Sequence, residues 1–295
     1  MALSFTGLRR SFALLSIIMA GALILAIAPA AISAEDDTKS IEGFQPITIS
    51  ETMFTDLESV ADDLDPMTMF MIFMQLEDLG EFDTNLDKES VHELDSLDEL
   101  NDHLGGELSE PGYLPDGFSL DDAHFGATDA GYATATINVE VARSITRLLD
   151  LPPEWLPDPA EHETITMSVD VPEAGMIGYR SGFEMLMVGQ MDLPEADIPD
   201  EVDLDLLREA ILDDPRMPDE LADQLGAIDN WEETVPVPVP EDATYEDLDF
   251  NGNPGFLLTM QDEGGVIVWE ADGTLHFVGG SVDVDELREI AESMQ

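Results

Sequence analysis

The chain has 295 residues, 44% of them hydrophobic, with 13 Phe and 15 Met, enough for a core in one large or two small domains. Against 66 Asp and Glu stand 10 Lys and Arg, a formal net charge of -56. That balance excludes DNA and RNA, whose phosphates need clustered Lys and Arg, and the lack of cysteine excludes disulfides, thiol catalysis and lipid attachment through an N-terminal Cys. The acids are spread between apolar positions rather than gathered in a block, so the composition reads as an acidic shell over an ordinary core. Such a shell repels itself less when salt shortens the Debye length from about 10 Å at 0.1 M to about 3 Å at 1 M. A halophilic habitat is the expectation.

Residues 1–34 read as an export signal or a membrane anchor. Arg9-Arg10 precedes a mostly apolar run from Ser11 to Ala28, then small residues through Ala34, with Ala28-Pro29-Ala30 as one candidate cleavage site. Arg9-Arg10-Ser11-Phe12 resembles a twin-arginine signal, which implies export of a folded chain. Uncleaved, the run just reaches spanning length. Either way the remainder is expected outside the cytoplasmic membrane.

Residues 35–95 are expected to form an N-terminal, largely helical region. Ile41 to Ser50 suits a strand, and Asp56 to Leu64 a short helix with Leu57, Val60 and Leu64 on one side. Asp65-Pro66 fits an N-cap and first helical position opening Met67 to Leu79. Met67, Met69, Met71 and Met74 lie in that helix. Thioethers can bind copper(I); the plainer reading is a buried helix using methionine as filler between Phe70, Ile72 and Phe73.

Residues 96–295 are expected to form an α+β domain. Ser96-Leu97-Asp98-Glu99 is a capping box for a helix ending at Gly105-Gly106. Ala133 to Val141 and Thr164 to Val171 alternate as strands. Leu151-Pro152-Pro153-Glu154-Trp155-Leu156-Pro157 sets a tryptophan in a stiff loop, either an interface anchor or a cover for the core edge. Pro218 opens a helix to about Ile228, and Val235-Pro236-Val237-Pro238-Val239-Pro240 suits an edge strand blocked along one side rather than a polyproline linker.

The last stretch is the most legible. Asn251-Gly252, Gly264-Gly265 and Asp272-Gly273 are hairpin dipeptides separating Phe256 to Met260, Val266 to Trp269 and Thr274 to Val278, an antiparallel meander. A helix follows, with Asp283 as N-cap, Glu286 as capping-box partner, Val282 stapled to Leu287, and Val284, Leu287, Ile290, Ala291 and Met294 on one face. Val202 to Glu209 matches Val282 to Glu289 at six of eight positions. Two readings are open: a twice-used hairpin-plus-helix unit, or convergence of capped helices on early acids and later Arg.

The Ser96-x-x-Glu99 helix, the Tyr113 to Phe118 turn, the Val268-Trp269 and Asp272-Gly273 hairpin, and Leu287 with Ile290 to Ser293 together resemble a domain-of-unknown-function family. That family is seen in anti-sigma-factor-type and sporulation-type membrane proteins and is similar in outline to lipoprotein-carrier folds. The resemblance implies an antiparallel, curved sheet covered on one face by helices. It brings no catalytic residues with it.

Sites for chemistry are sparse. Asp247, Asp249 and Asn251 before Gly252 fit the first half of a calcium loop, but Leu258 stands where a bidentate Glu is needed. Glu161-His162-Glu163 would point to opposite faces of a strand, and His92, His103, His124 and His276 show no ligand spacing. No Gly-x-Ser-x-Gly elbow, phosphate loop or His-Glu-x-x-His occurs. No catalytic, cofactor-binding or metal-ligating residue is therefore singled out. The expectation is a non-catalytic binding or sensing module with a protein partner. The alternatives are a carrier of a lipid or other apolar ligand between sheet and helices, and a metal-dependent hydrolase built on His162 or another histidine.

Overall fold

A computed structural model describes residues 43–50, 53, 65–76, 78–85, 91–120, 123–228, 234–260 and 264–294. The N-terminal export or anchor segment and the helix expected over Asp56 to Leu64 lie outside the described residues. In chain order the elements are β1 (Gly43–Ile49), α1 (Pro66–Leu76), β2 (Gly80–Thr84), β3 (Val91–Leu94), α2 (Leu97–Leu104), β4 (His124–Thr128), β5 (Gly131–Asn138) and α3 (Val139–Leu148). Then come β6 (Thr164–Val171), β7 (Ala174–Ser181), β8 (Glu184–Asp192), β9 (Glu195–Asp197), α4 (Leu204–Leu212) and α5 (Asp219–Gly226). The chain ends with β10 (Thr234–Pro240), β11 (Ala243–Phe250), β12 (Asn253–Met260), β13 (Gly264–Ala271), β14 (Thr274–Gly280) and α6 (Val284–Ser293). The fold is α+β with mostly antiparallel sheets.

The expected meander is β12-β13-β14, extended by β11, whose Asp247-rich sequence hides its strand. Two of its turns need a backbone that only Asn, Asp and Gly adopt readily: φ is 58° and 95° at Asn251 and Gly252, and 53° and 82° at Asp272 and Gly273. The third expected turn does not fall at Gly264-Gly265. Gly264 and Gly265 stand inside β13, opposite Met260 and Thr259, where neighbouring backbone comes so close to Gly264 that no Cβ fits. The eight-stranded sheet runs β11-β12-β13-β14-β8-β7-β4-β3, so β14 joins the meander to strands from the middle of the chain.

Three of those strands continue past the sheet edge. Thr128 pairs with Ala174 and Gly131 with Val171; Ala174 pairs with Met191 and Asp170 with Glu195. The chain thus turns corners at residues 129–130, 172–173 and 193–194, and β5, β6 and β9, joined by β2, form a second sheet in the order β2-β5-β6-β9. Asn138 closes β5 and caps α3 by accepting from Val141 N, so the strand expected over Ala133 to Val141 turns helical at its end.

Strand β10 pairs on one side with β1, in parallel, from Gly43–Thr234 to Ile49–Pro240. Its valines Val237 and Val239 are buried while Pro238 faces out, as an edge strand blocked on one side requires. Among the described residues of 35–95 there are three strands beside helix α1: β1, β2 and β3 each join a strand from further along the chain.

One face of the eight-stranded sheet carries the main core. Ile177, Tyr179, Leu186, Val188, Ile267, Trp269 and Val278 meet Leu287, Ile290 and Ala291 of α6, Met294 just after it, and Leu100 of α2. Alternation along β7, and the two-residue spacing of Ile267 and Trp269 on β13, deliver these residues to one side. The 105–118 loop closes the layer. Tyr113 N donates to Ser293 Oγ at 3.1 Å and Gly112 N to Ser293 O at 3.3 Å, so the two ends of the expected α+β domain meet. Ser96 Oγ accepts from Glu99 N, Glu99 Oε2 accepts from Asp95 N, and Asp283 accepts from Asp285 N. The two halves of the internal echo dock differently. α6 lies over its own hairpin, whereas α4 follows β9 and packs beside α5, with Val202 and Leu204 in a cluster with Val139, Leu156 and Ile165.

Candidate docking surface

Helix α1 is apolar on every side. Pro66 to Leu76 holds no charged residue, and Thr68 and Gln75 are its only polar ones. Asp65 starts it, accepting from Met67 N at 2.9 Å and Thr68 N at 3.2 Å. Those bonds, with one from the Thr68 hydroxyl foremost, hold the Asp65 carboxyl below its usual range. Thr68, Met69, Ile72, Gln75 and Leu76 form the inward stripe, and the helix packs against α3. The outward stripe is Met67, Phe70, Met71, Phe73 and Met74, whose exposure runs from 42% at Phe73 to 65% at Met67. Of the expectations for this segment, the helix and its Asp65-Pro66 start hold, and the wholly buried helix does not. A helix apolar all round is ordinarily buried all round. Here half of it faces out of an acidic chain.

Three of the four methionines, Met67, Met71 and Met74, share the outward stripe. Met69 turns inward, and Met67 and Met74 are offset by about 10 Å along the helix axis. Phe183, at the β7–β8 turn, with Met185 and Met187 on the sheet face opposite the helices, makes a second exposed apolar set.

The structure also joins residues that spacing does not. His92 on β3 and His103 on α2 have ring centroids 5.4 Å apart and share Asp129 at the β4–β5 corner, at 2.8 Å and 3.5 Å. The bond to His92 is the first cause holding the Asp129 carboxyl below its usual range. Only the pairing of β3 with β4 places the three together, so linear spacing carries no sign of them. The His92–Asp129 bond ties the edge strand to the corner, while the buried His103 Nε2 stands near Asp129 without a hydrogen bond. Among the described residues no group of three His, Asp or Glu has metal-holding geometry.

Other candidates resolve into structure. Glu161 to Glu163 lies in a turn, not a strand, and His162 Nδ1 is 3.8 Å from Glu201. Asp247 accepts from the Tyr245 hydroxyl and Asp249 from Gly252 N, as parts of the β11–β12 hairpin. Trp155 folds back onto the cluster of Leu156 and Val202, and Arg143 binds the carbonyls of Leu156 and Pro157 to hold that loop.

Residues 239–294 match the model of a family described as a domain of unknown function (DUF4367). The matched span takes in the end of β10, the four-stranded meander and α6, which is the unit with the clearest sequence signals. Ser96 to Phe118 lies outside it. Neither the curated proteins nor the solved structures hold a match to the chain.

Proposed function

We propose that the chain is a non-catalytic binding module that works outside the cytoplasmic membrane of a salt-adapted cell, secreted or tethered by its N-terminal run, and that docks through the outward face of α1. The observation that carries this reading is the outward stripe itself. Five large apolar side chains stand exposed on one short helix of a chain with net charge -56. Contiguous apolar surface of that kind on an otherwise polar molecule marks an interaction site.

The likeness of residues 239–294 to a family of unknown function leaves the activity open. The wider resemblance, to extracytoplasmic parts of anti-sigma-factor-type and sporulation-type membrane proteins, accords with a sensing or partner-binding role. A carrier with its ligand between sheet and helices draws no support from that layer, because Leu186, Val188, Ile267, Val278 and Leu287 are packed there without exposure. A hydrolase built on His162 draws none from its single carboxylate neighbour, Glu201.

The test is a photo-crosslinking amino acid at position 70 in the full chain, expressed in cells at their growth salt. The expected outcome is a crosslinked product from position 70 and none from the same probe at Asp242, an exposed turn residue. If position 70 behaves like position 242, the stripe is not a docking surface.

A further inference from the structure

We infer that the outward stripe of α1 seats in the interface of a lipid bilayer, the one towards which the N-terminal apolar run directs the chain. The inference rests on the docking reading above and names its occupant.

Shape favours lipid. With one side on α3, the helix presents a ridge of Met67, Phe70, Met71, Phe73 and Met74, not a groove. A fluid acyl layer receives a ridge without a matching cavity, whereas a protein must supply one. Flexible thioethers and phenyl rings suit a disordered apolar medium.

Chain length favours the same occupant. The run from Ser11 to Ala28 is apolar and just long enough to span a bilayer, and fewer than forty residues separate Ala28 from Met67. A bilayer reached by the first segment is offered to the second at high local concentration.

Charge sets the conditions. Asp65, Asp78, Glu81 and Asp83 are exposed next to the helix in the chain, and α1 contains no Lys or Arg. Attraction to anionic lipid therefore contributes nothing. Seating should strengthen with salt, as repulsion is screened and apolar burial favoured, which is the reverse of what basic interfacial helices do.

The chain lacks cysteine, so one introduced thiol is a unique label. Full-length Met74→Cys carrying an environment-sensitive NBD dye is reconstituted with phosphatidylcholine vesicles in molar salt, beside an identically labelled Asp242→Cys. The expected result is a blue shift and quenching by doxyl lipids at position 74 only, weaker in low salt and lost in the Phe70→Ser, Met71→Ser background. Because the N-terminal run is present in every sample, vesicle attachment alone does not produce that pattern. A dye at position 74 that stays in water on vesicles overturns the inference. So does a shift that follows protein concentration without lipid, which would mean a second copy covers the stripe. With a water-exposed dye, protein crosslinks from position 70 leave the docking reading standing, and no crosslinks at all remove both.

Discussion

His276 stacks on Trp269 with ring centroids 5.1 Å apart, and its buried Nδ1 has no hydrogen-bond partner. Burial lowers its pKa from the usual 6.5, because a charged imidazole there has lost its water. The unfolded chain therefore binds this proton more readily. The stability contributed by the neutral ring is present above pH 6.5 and is lost as pH falls below it. Chemical denaturation between pH 7.5 and 5.5, above the range where carboxylates titrate, should show the native chain losing stability more steeply than His276→Phe. Equal slopes would mean the ring is hydrated. Linear spacing cannot reveal that the half-buried His276 shares a sheet face with Trp269. Pairing of β13 with β14 decides it.

Two helices that both open on an aspartate cap meet opposite fates. α6 turns Leu287, Ile290 and Ala291 into the main core, while α1 keeps Phe70 and Met71 outside. Leu287→Ala should cost about 2 to 5 kcal/mol, the range for opening a cavity in a packed interior. Phe70→Ser should cost less than about 0.5 kcal/mol, because its side chain buries little. Urea melts of the two variants check this, and a large loss at Phe70 would show that the stripe is covered within the molecule. The amphipathic period of α6 makes its inner face readable in advance. α1 has no polar face to read, so its orientation follows from packing on α3, not from its own residues.

Among the described residues the only buried acid is Glu270, whose Oε1 accepts from Gly273 N at 2.7 Å and ties the β13–β14 turn. The carboxylates are otherwise a surface coat, and some cations are spent on backbone: Arg143, Arg208 and Arg216 bind the carbonyls of Leu156, Ile228 and Leu149. Few remain to offset the coat. Thermal melting across a salt series should therefore show Tm rising steeply from low salt to the molar range, by on the order of 10 °C or more as the Debye length falls. A flat series would end the salt-adapted reading.

By itself, the sequence determined what is local or compositional: the acidic coat, the α+β class, the β11–β12 and β13–β14 turns, and the caps at Ser96, Asp65 and Asp283. Each depends on residues within a few positions of one another. The tertiary structure alone decided that β4, β7 and β8 run on around a corner into a second sheet, that β1 finds β10, that His92 and His103 share Asp129, and that α1 shows an apolar face to the outside. Those outcomes depend on pairings between residues far apart in the chain, where register and packing competition choose among partners that local pattern leaves equivalent.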